Sequence, residues 1–377
     1  MAQWITRLAV TIVIAVSIGS VRTDATQIVT GSTGPGSEYA FAVPDDWSGQ
    51  LVIYGHGIVD PGASVALPTS QDGFAALRDA LLARGFAVAY SSYSENGYAL
   101  KDAAQRLHQL SGLFVSRFGR PTRTFLVGHS LGAAAVQMLA ERFPRRYDGT
   151  LAMCGILGGG VPEVQYLGHV RVLFDAYFPG VLPGDLLTVP EASFAAGSPL
   201  FMAVLTALQR GFATPGSPTL AFATAAGLPF TSAQELVAGA LNAIGFNIRF
   251  TNDLLGRTHG HSFFDNMATV YPASVDALVQ RYSATPDALN YLKHYYTPTG
   301  QIQAPMLTLH TTRDPVVPLF HETIYSALAP AYLLVQRTVD RFGHCAFNQQ
   351  EVLNAFDDLV LWVTEGTRPA GGDATIR

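Results

Sequence analysis

A chain of 377 residues, 49% hydrophobic and only 14% charged, can bury a sizeable core as one large domain with an insertion or as two domains, and it is too apolar to be disordered. Its formal charge of -5 gives no reason to expect a nucleic acid or an anionic membrane surface as partner. The sequence has no repeat of fixed period and no extended low-complexity tract.

Residues 1–25 have the pattern of an export signal: one positive charge in residues 1–7, an apolar run over 8–19, then small and polar residues. The run is short of the roughly 20 residues a membrane span needs, which favours cleavage near Ser20 or after Ala25 over an uncleaved anchor. The expected location is therefore secreted or periplasmic, with no stable membrane span after cleavage. Cys154 and Cys345 are the two cysteines, and an even count in an exported chain invites a disulfide. Two buried thiols are the alternative.

In chain order, residues 27–31 and 38–43 read as strands around a turn at 32–36, and 50–54 as a buried strand ending in Gly55-His56-Gly57-Ile58. Residues 71–84 are amphipathic, with Gly85 as the stop. A strand at 86–90 leads to the polar edge Tyr90-Ser91-Ser92-Tyr93-Ser94, and a helix follows from about 99 to 118. Thr124-Phe125-Leu126-Val127 is a short strand, after which Gly128-His129-Ser130-Leu131-Gly132 must turn sharply into an alanine-rich helix. The glycines remove Cβ atoms that would collide there, leaving Ser130 at the apex and at a helix N-terminus. Residues 148–154 are the next strand. Strands alternating with helices in this way make an α/β protein with a parallel sheet covered on both faces.

From about 156 to 301 the alternation stops and a mostly helical insertion begins. Ser198-Pro199, the capping box Ser232-Ala233-Gln234-Glu235 and Thr285-Pro286 open its helices. Residues 200–208 and 236–244 are apolar nearly all round, so they must be buried in the insertion's own core or against a hydrophobic ligand, core being the expectation. The pattern resumes with a strand at 305–311 ending in Thr312-Arg313-Asp314-Pro315. A helix at 319–328 and a last strand at 332–339 lead to Gly343-His344-Cys345. A final capped helix runs to Glu365, and the polar tail from Pro369 is expected to fray. The division is thus an export signal (1–25), two core parts (26–155 and 302–368) around an insertion (156–301), and a tail (369–377).

A serine hydroxyl is a poor nucleophile at neutral pH; it needs a histidine to take its proton and an acid to orient the imidazole. In strand-elbow-helix hydrolases the chain order is Ser, acid, His. That order selects Ser130, then Asp314 in the loop after one strand and His344 in the loop after the next. Asp340 is the second acid to weigh, and it falls on the last strand. Among the ten histidines, His129 flanks the nucleophile with its side chain pointing away, and His310 is a packed strand residue. His259 and His261 lack the spacing and acidic partner of a metal set, so no metal is expected. Oxyanion donors are expected from the Leu131 N–H and from the Ile58 N–H, with Gly57 as the alternative and His56 bracing the turn. Tyr90, Ser92 and Tyr93 are candidate substrate-pocket residues, or else exposed turn residues.

Together these motifs resemble an α/β-hydrolase over roughly residues 50–155 and 305–366, with the insertion where that superfamily commonly carries its cap or lid. The resemblance implies an eight-stranded, mostly parallel sheet with helices on both faces and the active site at its carboxyl edge, and it calls for no cofactor. Met153-Cys154-Gly155 with Gly343-His344-Cys345 is similar to a group of exported bacterial α/β-hydrolases. His344-Cys345 is also similar to tannases and fungal feruloyl esterases, where that cysteine is bonded to one directly before the nucleophile. Here His129 holds that place, so a bridge has to use Cys154, and it would pin the His344 loop to the sheet. The expected activity is hydrolysis of a small-molecule or polymeric carboxylic ester, and the apolar insertion favours hydrophobic acyl groups or aromatic esters. Serine at the elbow argues against dehalogenase and epoxide-hydrolase chemistry. A serine peptidase or acyltransferase is the alternative enzyme, although Glu163, Glu191 and Glu235 are too widely spaced to make a good amine-reading cluster. A binding protein on a catalytically dead hydrolase fold is the least favoured reading.

Overall fold

The computed structural model describes residues 26–71, 73–190 and 194–376. The export segment expected over 1–25, and Glu191, lie outside them. The chain opens with an antiparallel hairpin, β1 (Thr26–Gly34) and β2 (Ser37–Pro44). There follow β3 (Gln50–Gly55), α1 (Phe74–Leu82), β4 (Ala87–Ser91), α2 (Leu100–Phe118), β5 (Arg123–His129), α3 (Leu131–Arg142) and β6 (Gly149–Met153). Five helices come next: α4 (Gly160–Tyr177), α5 (Pro199–Ala213), α6 (Pro218–Ala225), α7 (Ala233–Arg257) and α8 (Pro286–Tyr295). The chain closes with β7 (Met306–Arg313), α9 (Phe320–Ser326), β8 (Leu334–Phe342), α10 (Gln349–Glu365) and β9 (Gly372–Asp373).

The strands form one sheet in the order β1-β2-β4-β3-β5-β6-β7-β8-β9, antiparallel at β1/β2 and β2/β4 and parallel elsewhere. Because side chains alternate across a strand, Leu51, Ile53 and Leu126 face α2 and α3, while Val52, Tyr54, Phe125 and Val127 face α1 and α10. The sheet therefore has nine strands rather than the expected eight, the ninth coming from the tail that was expected to fray. Its Ala374 N–H donates to Thr338 O at 2.8 Å, and Ala370 O accepts from Arg337 Nε at 2.9 Å. Hydrogen bonds rather than an apolar face hold this strand, so no apolar pattern announced it.

The insertion has a core of its own, in which Val170, Phe174, Phe222, Ile244 and Phe264 are buried together. Leu236, Ala240, Ala243 and Ile244 of α7 lie in it as expected. The apolar stretch of α5 is less enclosed, burying Val204 and Leu208 and leaving Met202 45% exposed. Ser232 caps α7 by accepting from Glu235 N–H at 3.1 Å. This 25-residue helix is fastened to the carboxyl edge of the sheet at both ends. Glu235 pairs with Arg313 at 3.1 Å, and Arg257 pairs with Glu95 at 3.0 Å. No helix among the described residues is long and apolar enough to cross a membrane.

Candidate active site

β5 passes into α3 through Ser130, whose φ of 53° is in the left-handed region that costs an L residue energy. A Cβ on Gly128 would come within 2.5 Å of Gly132 O, and one on Gly132 would collide with Gly55 O, so both positions demand glycine. The Ser130 N–H donates to Met153 O at 2.9 Å, tying the turn to β6.

Asp314 directly follows β7, and its Oδ1 accepts from the Val316 and Val317 N–H groups, each at 2.9 Å. Its Oδ2 lies 2.6 Å from His344 Nδ1, and His344 Nε2 lies 2.8 Å from Ser130 Oγ. A carboxylate can only accept, so Nδ1 carries the proton and Nε2 is left to accept from the serine hydroxyl. Burial pushes the Asp314 carboxyl up, but the facing His344, His310 and the Val317 N–H more than offset it and hold it below the usual carboxylate range. Asp340, the second acid, is on β8 and pairs with Arg313.

Gly57 does not have a free N–H: it donates to His129 Nε2 at 3.2 Å. With Nε2 accepting, His129 Nδ1 carries the proton toward Tyr54 Oη at 2.8 Å, and burial lowers this imidazole to about 3. No hydrogen bond occupies the Ile58 or Leu131 N–H among the described residues. His56 is buried in the turn, its Nδ1 2.7 Å from Gly57 O and its ring stacked 3.8 Å from that of Tyr93. Tyr90, Ser92 and Tyr93, the candidate pocket residues, are buried rather than exposed. Tyr90 packs on Phe74, Ser92 Oγ donates to Tyr93 O at 2.6 Å, and Tyr93 Oη donates to His56 O at 2.9 Å. The Tyr93 hydroxyl thus braces the loop that carries Ile58.

Cys154 and Cys345 form a disulfide with Cα atoms 5.3 Å apart, which decides between bridge and free thiols. His259 and His261 lie exposed on the insertion. His310, expected as a packed strand residue, and His321, which the sequence did not single out, are both fully buried. His310 Nε2 donates to Val317 O at 2.8 Å and lies 3.8 Å from Asp314 Oδ2, while its Nδ1 faces Glu322 at 3.3 Å. Burial pushes His310 down, yet these two carboxylates raise it overall. His321 Nδ1 accepts from the Gly158 N–H at 3.0 Å, so its Nε2–H donates to Glu163 at 2.9 Å. Burial lowers His321 to about 3 and raises Glu163 well above its ordinary value, Asp314 adding to the latter.

These groups predict acid instability. His56, His129 and His321, lowered by burial to about 4, 3 and 3, stay neutral in the fold while the unfolded chain protonates them near 6.5. Each contributes stability that is complete above about pH 6.5 and lost as the pH falls toward its folded value. Glu163 acts in the opposite sense, since the folded chain holds its proton. Near pH 5 the unfolded chain thus binds about two more protons, and stability should drop by about 3 kcal/mol per pH unit. Urea unfolding at pH 7, 6 and 5 measures this; equal midpoints would contradict it.

The strand order, the strained serine elbow and the Ser-Asp-His succession along the chain coincide in one architecture. This is the α/β-hydrolase fold. A family model described as a tannase-like family of unknown function matches residues 5–189. No curated protein matches the sequence. Among solved structures, feruloyl esterase B from Aspergillus oryzae superposes with a TM-score of 0.55 at 14% identity, over 91% of this chain and 81% of that one. An esterase from Aspergillus oryzae gives a TM-score of 0.51 at 14% identity, over 91% and 80%. At such identities the likeness to these hydrolases is one of fold.

Proposed function

We propose that this chain is an exported serine hydrolase that cleaves carboxylic esters through an acyl-enzyme. The observation that carries the reading is the unbroken hydrogen-bond chain Asp314–His344–Ser130, ending on a serine at a strained elbow. Ser130 Oγ attacks the acyl carbon while its proton passes to His344 Nε2, and Asp314 stabilises the imidazolium that forms. The Ile58 and Leu131 N–H groups donate to the oxyanion. Collapse breaks the acyl C–O bond, and the leaving alcohol takes the proton from Nε2. A water deprotonated by the same nitrogen then attacks the acyl-enzyme, releasing the acid and restoring Ser130.

The tannase-like family match and the two esterase folds support an ester rather than another acyl substrate. The signal-like leader and the disulfide support export. Residues 156–301 act as the cap over the site. A fluorophosphonate tests the reading directly: the wild type is expected to label at Ser130 and the S130A variant not at all. Activity on p-nitrophenyl esters, from acetate to palmitate, should vanish with the label. Failure of the wild type to label would overturn the proposal.

A further inference from the structure

His310 and Asp314 are both wholly buried, four residues apart, where β7 runs into the loop that carries the candidate acid. The two ring nitrogens of His310 face acceptors. Nε2 is 2.8 Å from Val317 O, and a carbonyl cannot donate, so Nε2 carries a proton. Nδ1 faces Glu322 Oε1 at 3.3 Å. The other oxygen of that carboxyl accepts from the Thr308 hydroxyl at 2.6 Å and also from Gln336 Nε2, bonds that favour a carboxylate. The remaining proton therefore belongs on Nδ1, and the ring is an imidazolium. His321, next to Glu322 on α9, is the contrast: the Gly158 N–H donates to its Nδ1, which makes that ring neutral.

The titratable groups facing His310 are Glu322 and His321 of α9, Glu163 of α4, and Asp314, with His344 on the far side of Asp314. His321 is neutral and Glu163 holds its proton, so neither brings charge to Asp314. His310 does. Its Nε2 is 3.8 Å from Asp314 Oδ2, the oxygen that His344 uses. Val317, whose carbonyl it holds, donates its own N–H to Asp314 Oδ1. Desolvation offsets much of what a buried ion pair contributes to stability, but the field of a buried charge on its neighbour is little screened. We infer that His310 is a charged positioning residue, which holds the Asp314 carboxylate ionised and in place and thereby sets the lower pH limit of activity. The inference rests on the serine-hydrolase reading above and deepens it. A fixed positive charge beside the Asp314–His344 pair opposes uptake of the proton that disables the base. Without it the pair takes that proton more easily, whichever residue receives it, and activity ends at a higher pH.

The test follows the second-order rate constant for fluorophosphonate labelling of Ser130 from pH 9 down to pH 5. That constant does not depend on how much of a variant is folded. H310Q is expected to move the acid limb up by about one pH unit. E322Q keeps the ring but turns an amide donor toward Nδ1, leaving a neutral imidazole, and should move the limb the same way by less, because the Glu322 charge is lost with it. A purely structural role for His310 would lower the rate constant and leave the limb where it was. In the wild type, NMR of the ring nitrogens at about pH 7.5 should show one histidine with both nitrogens protonated, a signature absent from E322Q. A wild type whose histidines are all neutral, a limb unmoved in both variants, or a limb moved to lower pH would each overturn the assignment. Failure of the hydrolase reading is distinguishable, because the wild type would then not label at any pH.

Discussion

Replacing His344 by alanine is expected to leave a folded protein whose ester turnover has fallen by about 10⁴- to 10⁶-fold. The reason is that, among the described residues, Ser130 Oγ–H has one proton acceptor at hydrogen-bond distance, His344 Nε2 at 2.8 Å. S130A should cost a similar factor, and the double variant no more than either alone, since nucleophile and base act as a unit. D314N tests a different element. The amide keeps an oxygen for the Val316 and Val317 N–H groups but turns a donor toward His344 Nδ1, moving the ring proton to Nε2. The base is then blocked by its own proton, and kcat should fall by about 10⁴-fold with the fold retained. Steady-state kcat with thermal melting of each variant decides the matter. Losses that multiply in the double variant, or a D314N enzyme within tenfold of wild type, would mean that the three groups do not act as one relay.

The fold was legible wherever hydrophobic period and glycine chemistry agree. Strand-helix alternation gave the parallel sheet, and the two elbow glycines were placed correctly because only glycine fits between Gly55, Gly128 and Gly132. Chain order then brought out Ser130, Asp314 and His344, which three neighbouring loops bring within hydrogen-bond reach. What stayed hidden depends on contacts between distant segments. The Gly57 N–H is taken by His129, 72 residues away, and nothing local to Gly57 says so. Tyr90, Ser92 and Tyr93 look like a polar rim in sequence, but their partners His56, Phe74 and Glu38 lie on other elements. His310 left a fainter signal. Strand parity puts it on one face of β7 with Thr308, and both side chains meet Glu322. A polar pair inside a buried strand implies hydrogen-bond partners on a neighbouring element, and that much was available from the alternation alone.

Loss of the Cys154–Cys345 bridge is expected to damage both stability and catalysis, by separable routes. The bond joins residues 191 apart, so its removal frees an unfolded chain that it had strongly constrained, a loss of about 5 kcal/mol at most and about 2 at least. In the native state both cysteines have positive φ, 45° and 52°, in a region that costs an L residue of order 1 kcal/mol or more. With the bridge gone, Cys345 can relax toward ordinary backbone, and the neighbouring His344 moves with it. A displacement of about 1 Å at a base is enough to cost about a hundredfold in rate. The C154A/C345A double variant, studied well below its melting point, should therefore show reduced kcat with little change in KM, as well as a lower urea midpoint. Dithiothreitol on the wild type should give the same pair of effects if the bond is reached. Full kcat in a folded, unbridged enzyme would show that the His344 loop is held by packing alone. The placement of the bond suggests why packing is not enough. A cysteine directly before Ser130 would hold the same loop, but that place belongs to His129, whose ring fixes the Gly57 N–H and through it the direction of Ile58. Moving the anchor one strand over, to the end of β6, lets one elbow brace the proposed oxyanion loop while the sheet beside it secures the base.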